Sequence, residues 1–543
     1  MPDGIDRDSS VGPLERGLQV LRALTEVPEG RLRASALVKA TGLARSPVDR
    51  IATTLLRLEY LREEGGDLAL APALLELGTA YLNSSGVPRV LGPLARELAD
   101  SLDESVSVAV PDGNAARFVV QYTRRRALSV SFRIGDLLPV ERCAAGLLFT
   151  AGWDEDRFAS WRLDSGRDFP ALPREHRPRP AESELRRAAA EAGRHGWAVD
   201  DQLLEPGLVA VAVPVRDAAG GTVAALSVVS HTSRHAVREL RDFALPRMQA
   251  TAERMSAALA AATGEPPRRA TAADRTSDAK RDLGPEYLQS LARGLSVLAA
   301  LGTEQGGMTL SAVASCTGLA RATARRSLLT LESLGYVGSD AGRFSPLPRV
   351  LDLGYPVLSR LTLGEIARPH LIALVRQVGE SASVAVLDGH DIRYVGRVAA
   401  NRIMSVTITL GTRFPAHATS MGRVLLAGLP PDERASWLSA APLPALTPRT
   451  VTDPGRLDRA VRQARDDGFA IADQELEEGL RSIAVPLRAG DGRVVAAVNV
   501  SLHAGRTSAE EAREVILPRL REAADAISAD IAAVTSAQEL PPG

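Results

Sequence analysis

The chain repeats itself, and the repeat limits what it can fold into. SLDESVSVAVPDGNAARFVVQY in the first half answers to QVGESASVAVLDGHDIRYVGRV in the second, with Gly113 aligned on Gly389, 276 positions on. ATGLAR around Gly42 answers CTGLAR around Gly318 at the same offset. LLEPGLVAVAVPVRDAAGGTVAALSVVSH answers ELEEGLRSIAVPLRAGDGRVVAAVNVSLH, where Gly207 pairs with Gly479 and the offset has slipped to 272. Several matches in one order mean duplication of a whole unit, not a short solenoid repeat. A chain of 543 residues is in any case too long for one hydrophobic core.

The copies span roughly 13–262 and 285–535. Between them TGEPPRRATAADRTSDAKRDLGPE is polar, charged and proline-containing, and it reads as a linker over 263–285. Each unit opens with a run of short helical pattern that ends in a glycine-marked hairpin. Alternating strands and helices follow. The expected fold is α/β and multidomain: a winged helix-turn-helix at 13–75, a sensor domain at 76–262, and the same pair again at 286–350 and 351–535.

Composition excludes several functions. Aromatics are 4% of the chain, too few for stacking platforms along single-stranded nucleic acid. A net charge of −1 excludes a protein that coats polyanions, so any contact with DNA must come from a local positive cluster. Cys143 and Cys316 are the only cysteines, which leaves no structural zinc site and no disulfide framework. No metal-ligand cluster, Walker loop or dinucleotide fingerprint is present, so no metal and no cofactor is expected. MPDGIDRDSS lacks the apolar core of a signal peptide, and no apolar run is long enough for a membrane helix. The expectation is a cytoplasmic protein with no membrane partner.

The positive cluster is clearest in the second copy. Helices are expected at about Gln289–Leu301, Leu310–Cys316 and Ala322–Ser333, with a tight turn at Gly318. In the third helix Ala324, Leu328, Leu331 and Leu334 share one face. Ala322, Thr323, Arg325 and Arg326, just after Arg321, then point elsewhere near its N-terminus. Small residues and arginines there suit a helix whose first turns enter a major groove, where Arg bonds guanine edges or phosphates. Tyr336–Ser345 reads as a hairpin wing that places Arg343 for a phosphate. The first copy keeps the plan with Arg45, Ser46, Pro47 and Arg50, but it has Asp49 where the second has Arg325. Glu63 and Glu64 make its wing acidic. This head is expected to bind more weakly or to read another half-site. Two heads on one chain raise avidity.

Six segments then carry a resemblance: LARGLSVLAAL, TGLARATARRSLLTLESLGYV, GESASVAVLDG, FPAHATSMGRVLLA, LTPRTVTDP and DQELEEGLRSIAVPLRAGDGRVVAAVNVS. By these the second copy resembles the IclR family over nearly all its length. RIMSVTITLGTRFPAHATSMGRVLLA is similar to the branch that controls aromatic-acid catabolism through the β-ketoadipate pathway. The first copy matches less closely, best at ATGLARSPVDR and in its last strands. The resemblance implies a GAF-like effector domain behind each winged helix-turn-helix. It also implies double-stranded operator DNA and a small organic acid as partners, with assembly as dimers or dimers of dimers; RNA polymerase stays open as a further partner. One chain with two units departs from that pattern, because it could be its own pseudo-dimer instead of a homo-dimer.

For the effector, Ala418–Arg423 reads as a loop entering a helix, whose free N–H groups suit a carboxylate. Thr419 and Ser420 add hydroxyls, and helix capping explains these residues equally well. The resemblance implies that backbone amides at Ser420 and Met421 hold the acid. By the same resemblance Ser482, Asn499 and Ser501 complete the pocket, with Asp473 a further contributor. Asn499 and Ser501 lie two apart on an expected strand, hence on one face. In the first copy Cys143, Ala144 and Ala145 replace Thr419, Ser420 and Met421, Glu141 replaces His417, Ala210 replaces Ser482, and Ser227 and Val229 replace Asn499 and Ser501. A pocket without donors cannot repay the desolvation of a carboxylate. The second sensor is therefore expected to bind the acid and the first to be a structural or dimerising partner. The alternative is a greasier ligand in the first. Two rivals remain: a hydrolase built on His417, Ser420 and Asp473, for which no G-x-S-x-G elbow is present, and a ligand-independent architectural DNA binder.

Overall fold

The computed structural model describes residues 11–124, 133–164, 169, 179–262, 287–400 and 408–535. The linker read at 263–285 lies outside the described residues. The chain divides into two compact units, Met1–Arg360 and Leu361–Gly543. Among the described residues no helix is long and apolar enough to cross a membrane.

The first unit holds both helical heads and the first sensor. The first head runs Gly12–Thr25, Ala34–Thr41 and Arg45–Arg57, and the second Gln289–Ala300, Leu310–Thr317 and Arg321–Ser333. Gly42 (φ 68°) and Gly318 (φ 65°) make the interhelical turns in the left-handed region that glycine enters without penalty. The apolar spacing buries Val48, Ala52 and Leu55 in one head and Ala324, Leu328 and Leu331 in the other. Leu334 is only half-buried. Each head ends in a wing, Leu61–Glu64 with Asp67–Leu70 and Val337–Asp340 with Arg343–Pro346.

The heads pack on each other by reciprocal contacts. The opening helices meet at glycines: Gly17 faces Leu291, and Gly294 faces Leu14. The Val11 N–H donates to Thr330 Oγ1 at 3.0 Å, and the Leu288 N–H donates to Thr54 Oγ1 at 3.0 Å. Further on, Gly78 lies under Tyr355 and Leu351, and Gly354 lies under Leu74 and Leu358. The contacts of the opening helices, Gly17–Leu291 with Gly294–Leu14 and Val11–Thr330 with Leu288–Thr54, are reciprocal, as at a two-fold interface.

The first sensor is a six-stranded antiparallel sheet in the order Leu137–Pro139, Ala115–Tyr122, Ser105–Asp112, Thr222–His231, Leu208–Arg216, Ala198–Asp201. Helices Val87–Leu102 and Val237–Ala261 pack against it, as do Ala144–Thr150 and Glu182–His195. Runs such as LVAVAV at 208–213 are buried throughout because both faces are covered. The sensor grips the exit of the second head through Arg117, which is fully buried. Its Nε donates to Asp112 (2.6 Å), its Nη1 to the Gly135 carbonyl (3.0 Å) and its Nη2 to Asp352 (2.7 Å). Arg360 pairs with Asp136 at 3.2 Å beside it.

The second unit repeats the sensor with strand order Arg413–Pro415, Asp391–Val398, Ser381–Asp388, Val494–His503, Leu480–Arg488, Ala470–Asp473. Helices Leu363–Val378 and Leu517–Thr535 pack with the strands, as does Ser420–Ala427, which also meets Pro454–Asp467.

Candidate functional site

The helix of the second sensor starts at Ser420, earlier than a loop running through Arg423 would allow. The cause is Thr419: its Oγ1 accepts from the Gly422 N–H at 3.0 Å and so caps the first turn. Gly422 is required because a Cβ there would strike the Ala416 backbone. Among the described residues the N–H groups of Ser420 and Met421 donate to no protein acceptor.

These groups open on a cleft lined by Thr419, Ser420, Met421, Ser482, Asn499 and Ser501, six of the seven effector residues read from the sequence. Ser420 Oγ lies 2.8 Å from Ser482 Oγ, and Asn499 Nδ2 donates to Ser501 Oγ at 3.4 Å. Among the described residues Asn499 Oδ1 is buried without a partner, an acceptor left for something else. Asp473 is not in the lining. It accepts from Arg481 (2.8 Å) and Arg449 (3.3 Å) instead. The sequence reading missed Tyr394, Ile408, Phe414 and Glu475, which also face the cleft. Burial pushes the Tyr394 phenol up to about 12, so it stays protonated and can donate.

Free space inside is about 30 Å3, room for a water or two rather than an aromatic acid. The turn at Glu475–Glu477 closes one side. Glu475 pairs with the buried Arg423, and Thr450 Oγ1 donates to its carbonyl at 2.6 Å. Thr447 Oγ1 donates to the Gln474 carbonyl at 2.7 Å.

His417 is buried, and its Nε2 donates to the Pro444 carbonyl at 3.1 Å. With Ser420 on Ser482 and Asp473 on arginines, no hydrolytic triad assembles from these three. Burial, helped by Arg423, holds the imidazole below its ordinary value against the pull of the Pro444 carbonyl and Glu475. The folded chain therefore refuses a proton that the unfolded chain accepts. Stability from this group is full above about pH 6.5 and drains away as pH falls through the lower folded value. Scanning calorimetry of the full chain from pH 7 to 5 should show a falling midpoint that His417→Gln flattens. Equal slopes for the two proteins would refute this.

In the first sensor the corresponding residues are apolar and packed together. Cys143, Ala144 and Ala145 belong to an apolar cluster with Leu148, Phe149 and Trp161. Leu208, Ala210 and Val229 form another. Glu141, in the place of His417, accepts from Trp161 Nε1 at 3.1 Å and pairs with Arg179 at 3.3 Å.

On the heads, Arg45, Ser46 and Arg50 are exposed at the start of Arg45–Arg57, and Pro47 is half-buried. Arg321, Ala322, Arg325 and Arg326 are exposed at the start of Arg321–Ser333, and Thr323 is half-buried. Arg343 reaches across to the loop that precedes the strand Met308–Thr309. It donates to the carbonyls of Gly306 (3.2 Å) and Gly307 and approaches Glu304 at 3.5 Å.

Comparison with known proteins matches both halves. The model of the IclR helix-turn-helix domain matches residues 13–65 and 290–341. That of the bacterial transcriptional regulator IclR C-terminal domain matches 79–257 and 355–529. The chain thus carries the same pair of domains twice in tandem. The Pca regulon regulatory protein of Pseudomonas putida is 43% identical over 237 residues, 44% of this chain and 81% of the relative. The Pca operon regulatory protein of Acinetobacter baylyi is 36% identical over 243 residues, 44% of this chain and 87% of the relative. Among solved structures, an IclR homolog from Microbacterium hydrocarbonoxydans complexed with 4-hydroxybenzoate is 30% identical. The match covers 45% of this chain and 99% of that one, with a TM-score of 0.30.

Proposed function

Because the chain belongs to the IclR family of bacterial transcriptional regulators, we propose that its second sensor holds a small organic acid that controls the affinity of the paired heads for operator DNA. It is a DNA-binding regulator and not an enzyme. The observation that carries the effector reading is the unpartnered Asn499 Oδ1 in a cleft that also offers the Ser420 and Ser482 hydroxyls and two free N–H groups. A carboxylate takes the N–H groups at the helix start, and a ligand hydroxyl satisfies Asn499. Asp473 supports the site from outside by fixing Arg481 on the neighbouring strand. A hydroxybenzoate-sized acid enters as the Glu475–Glu477 turn yields, and that displacement is the differential interaction a ligand-driven switch needs.

The heads take the duplex through Arg45, Ser46, Pro47, Arg50, Arg321, Ala322, Thr323, Arg325 and Arg326. Arg343 reaches a phosphate once it leaves the Gly307 carbonyl. The reciprocal contacts of the opening helices support one chain acting as its own pseudo-dimer, in the cytoplasm where the operator lies. The domain limits of this reading are 13–75, 76–262, 286–350 and 351–535, joined by 263–285.

The test is fluorescence anisotropy of the full chain on duplexes from beside its own gene, with 4-hydroxybenzoate and protocatechuate titrated in. Thermal shift runs in parallel. Ligand should move both readouts. Ser482→Val with Asn499→Leu should weaken the ligand response by about tenfold to a hundredfold, while Ala210→Ser leaves it intact. If no aromatic or keto acid moves either readout, the effector reading fails and the chain is an architectural binder.

A further inference from the structure

The two heads are bound together as one symmetric body, yet the faces they expose are not alike. In the second head Ala322, Arg325, Arg326 and Leu329 form an exposed stripe along the reading helix. Leu329 is 36% exposed, one helical turn after Arg325. Arg321, Arg325 and Arg326 have no ion pair among the described residues. In the first head the same stripe is Ser46, Asp49, Arg50 and Thr53. There Arg45 Nε donates to both oxygens of Asp49 at 3.1 Å, which occupies one guanidinium and one carboxylate together. The Thr53 hydroxyl is turned onto the Asp49 carbonyl at 2.9 Å.

The chemistry of the stripes differs accordingly. Arg325 offers a bidentate donor fork for guanine, and Leu329 an apolar surface for a thymine methyl. Asp49 offers an acceptor, which suits the amino group of cytosine and is repelled by phosphate. A homo-dimer presents one stripe twice and so selects an inverted repeat. This chain presents two stripes once each, at a separation set by the Gly17–Leu291 and Gly294–Leu14 contacts.

We propose that a single chain reads a non-palindromic operator with two unlike halves. One half is specified by Arg325 and Leu329, and the other is specified more weakly by Asp49. This rests on the heads binding duplex DNA, and it names the kind of duplex they fit.

The experiment is in vitro selection by the full chain from a duplex library randomised over about 20 bp, two helical turns. The expected product is an enriched motif without dyad symmetry. Asp49→Arg with Thr53→Leu, both at the surface, should convert it to an inverted repeat of the half read by the second head. Arg325→Ala with Leu329→Ala should cost that half about tenfold to a hundredfold in affinity and leave the other unchanged. A palindromic motif from the unaltered chain overturns the proposal, as does an unchanged motif from the Asp49→Arg/Thr53→Leu variant. Failure to enrich any duplex overturns the DNA-reading assignment itself, a result distinct from a palindrome.

Discussion

Arg117→Met should destabilise the first unit by about 3–5 kcal/mol, the cost expected when one partner of a buried ion network is removed. The guanidinium is fully buried and makes three separate donations, to Asp112, to the Gly135 carbonyl and to Asp352. Methionine fills most of the space but removes the guanidinium from between Asp112, Asp352 and the Gly135 carbonyl. The damage follows from their desolvation and mutual repulsion more than from the lost attraction. A triple variant, Arg117→Met with Asp112→Asn and Asp352→Asn, should therefore recover a good part of the loss. Guanidinium unfolding of the full chain checks this. Trp153, Trp161 and Trp197 report the first unit, and Trp437 reports the second. If the midpoint seen by the first three stays put, or the triple variant is worse than the single, the network is not the clamp described above.

Gly302→Val should separate the heads. Gly302 sits in the short turn Leu301–Thr303, and a Cβ there would run into the Ala80 backbone on the helix Leu75–Ser85. That helix cannot retreat easily, because Gly78 two residues earlier is pressed under Tyr355. Overpacking of this kind costs about 1–3 kcal/mol, and a backbone obstacle favours the upper part of the range. Each head keeps its own core, so the larger effect falls on DNA. Losing the fixed geometry removes the intramolecular second contact, and affinity for a two-half duplex should drop by about a hundredfold. Anisotropy titration measures it, with Gly12→Ala, where a Cβ meets only an arginine tip, as the control. A Gly302→Val chain that binds as tightly as the parent would sink the idea that the head interface sets DNA affinity.

Local signals were legible. The reading helix expected from Ala322 begins at Arg321, and the wing glycines mark the hairpins. The duplication, the α/β class and six cleft residues followed from spacing, strand period and resemblance. What escaped depends on long-range packing. Arg117 and Asp352 are 235 positions apart and belong to different copies, so no periodicity connects them. Tyr394 and Glu475 line the cleft from a strand and a turn whose sequences carry no ligand signature. Asp473 misled because strand alternation places it beside the site without turning it inward. Its carboxylate goes to Arg481 and Arg449. The early start of the helix at Ser420 was in principle readable from Thr419 as a cap.

In an assembly of identical subunits every substitution is made twice, so a change that blocks one ligand site blocks both. Joining the copies in one chain removes that constraint. Cys143, Ala144 and Ala145 can join an apolar cluster in one sensor while Thr419 and Ser420 keep the other's cleft polar. Asp49 can enter one reading face without entering its neighbour. The head interface then keeps two diverging copies in register, and each is free to specialise. On the proposal that one chain is its own pseudo-dimer, the reading pair forms without a partner, and occupancy of DNA should scale with the first power of the protein's concentration.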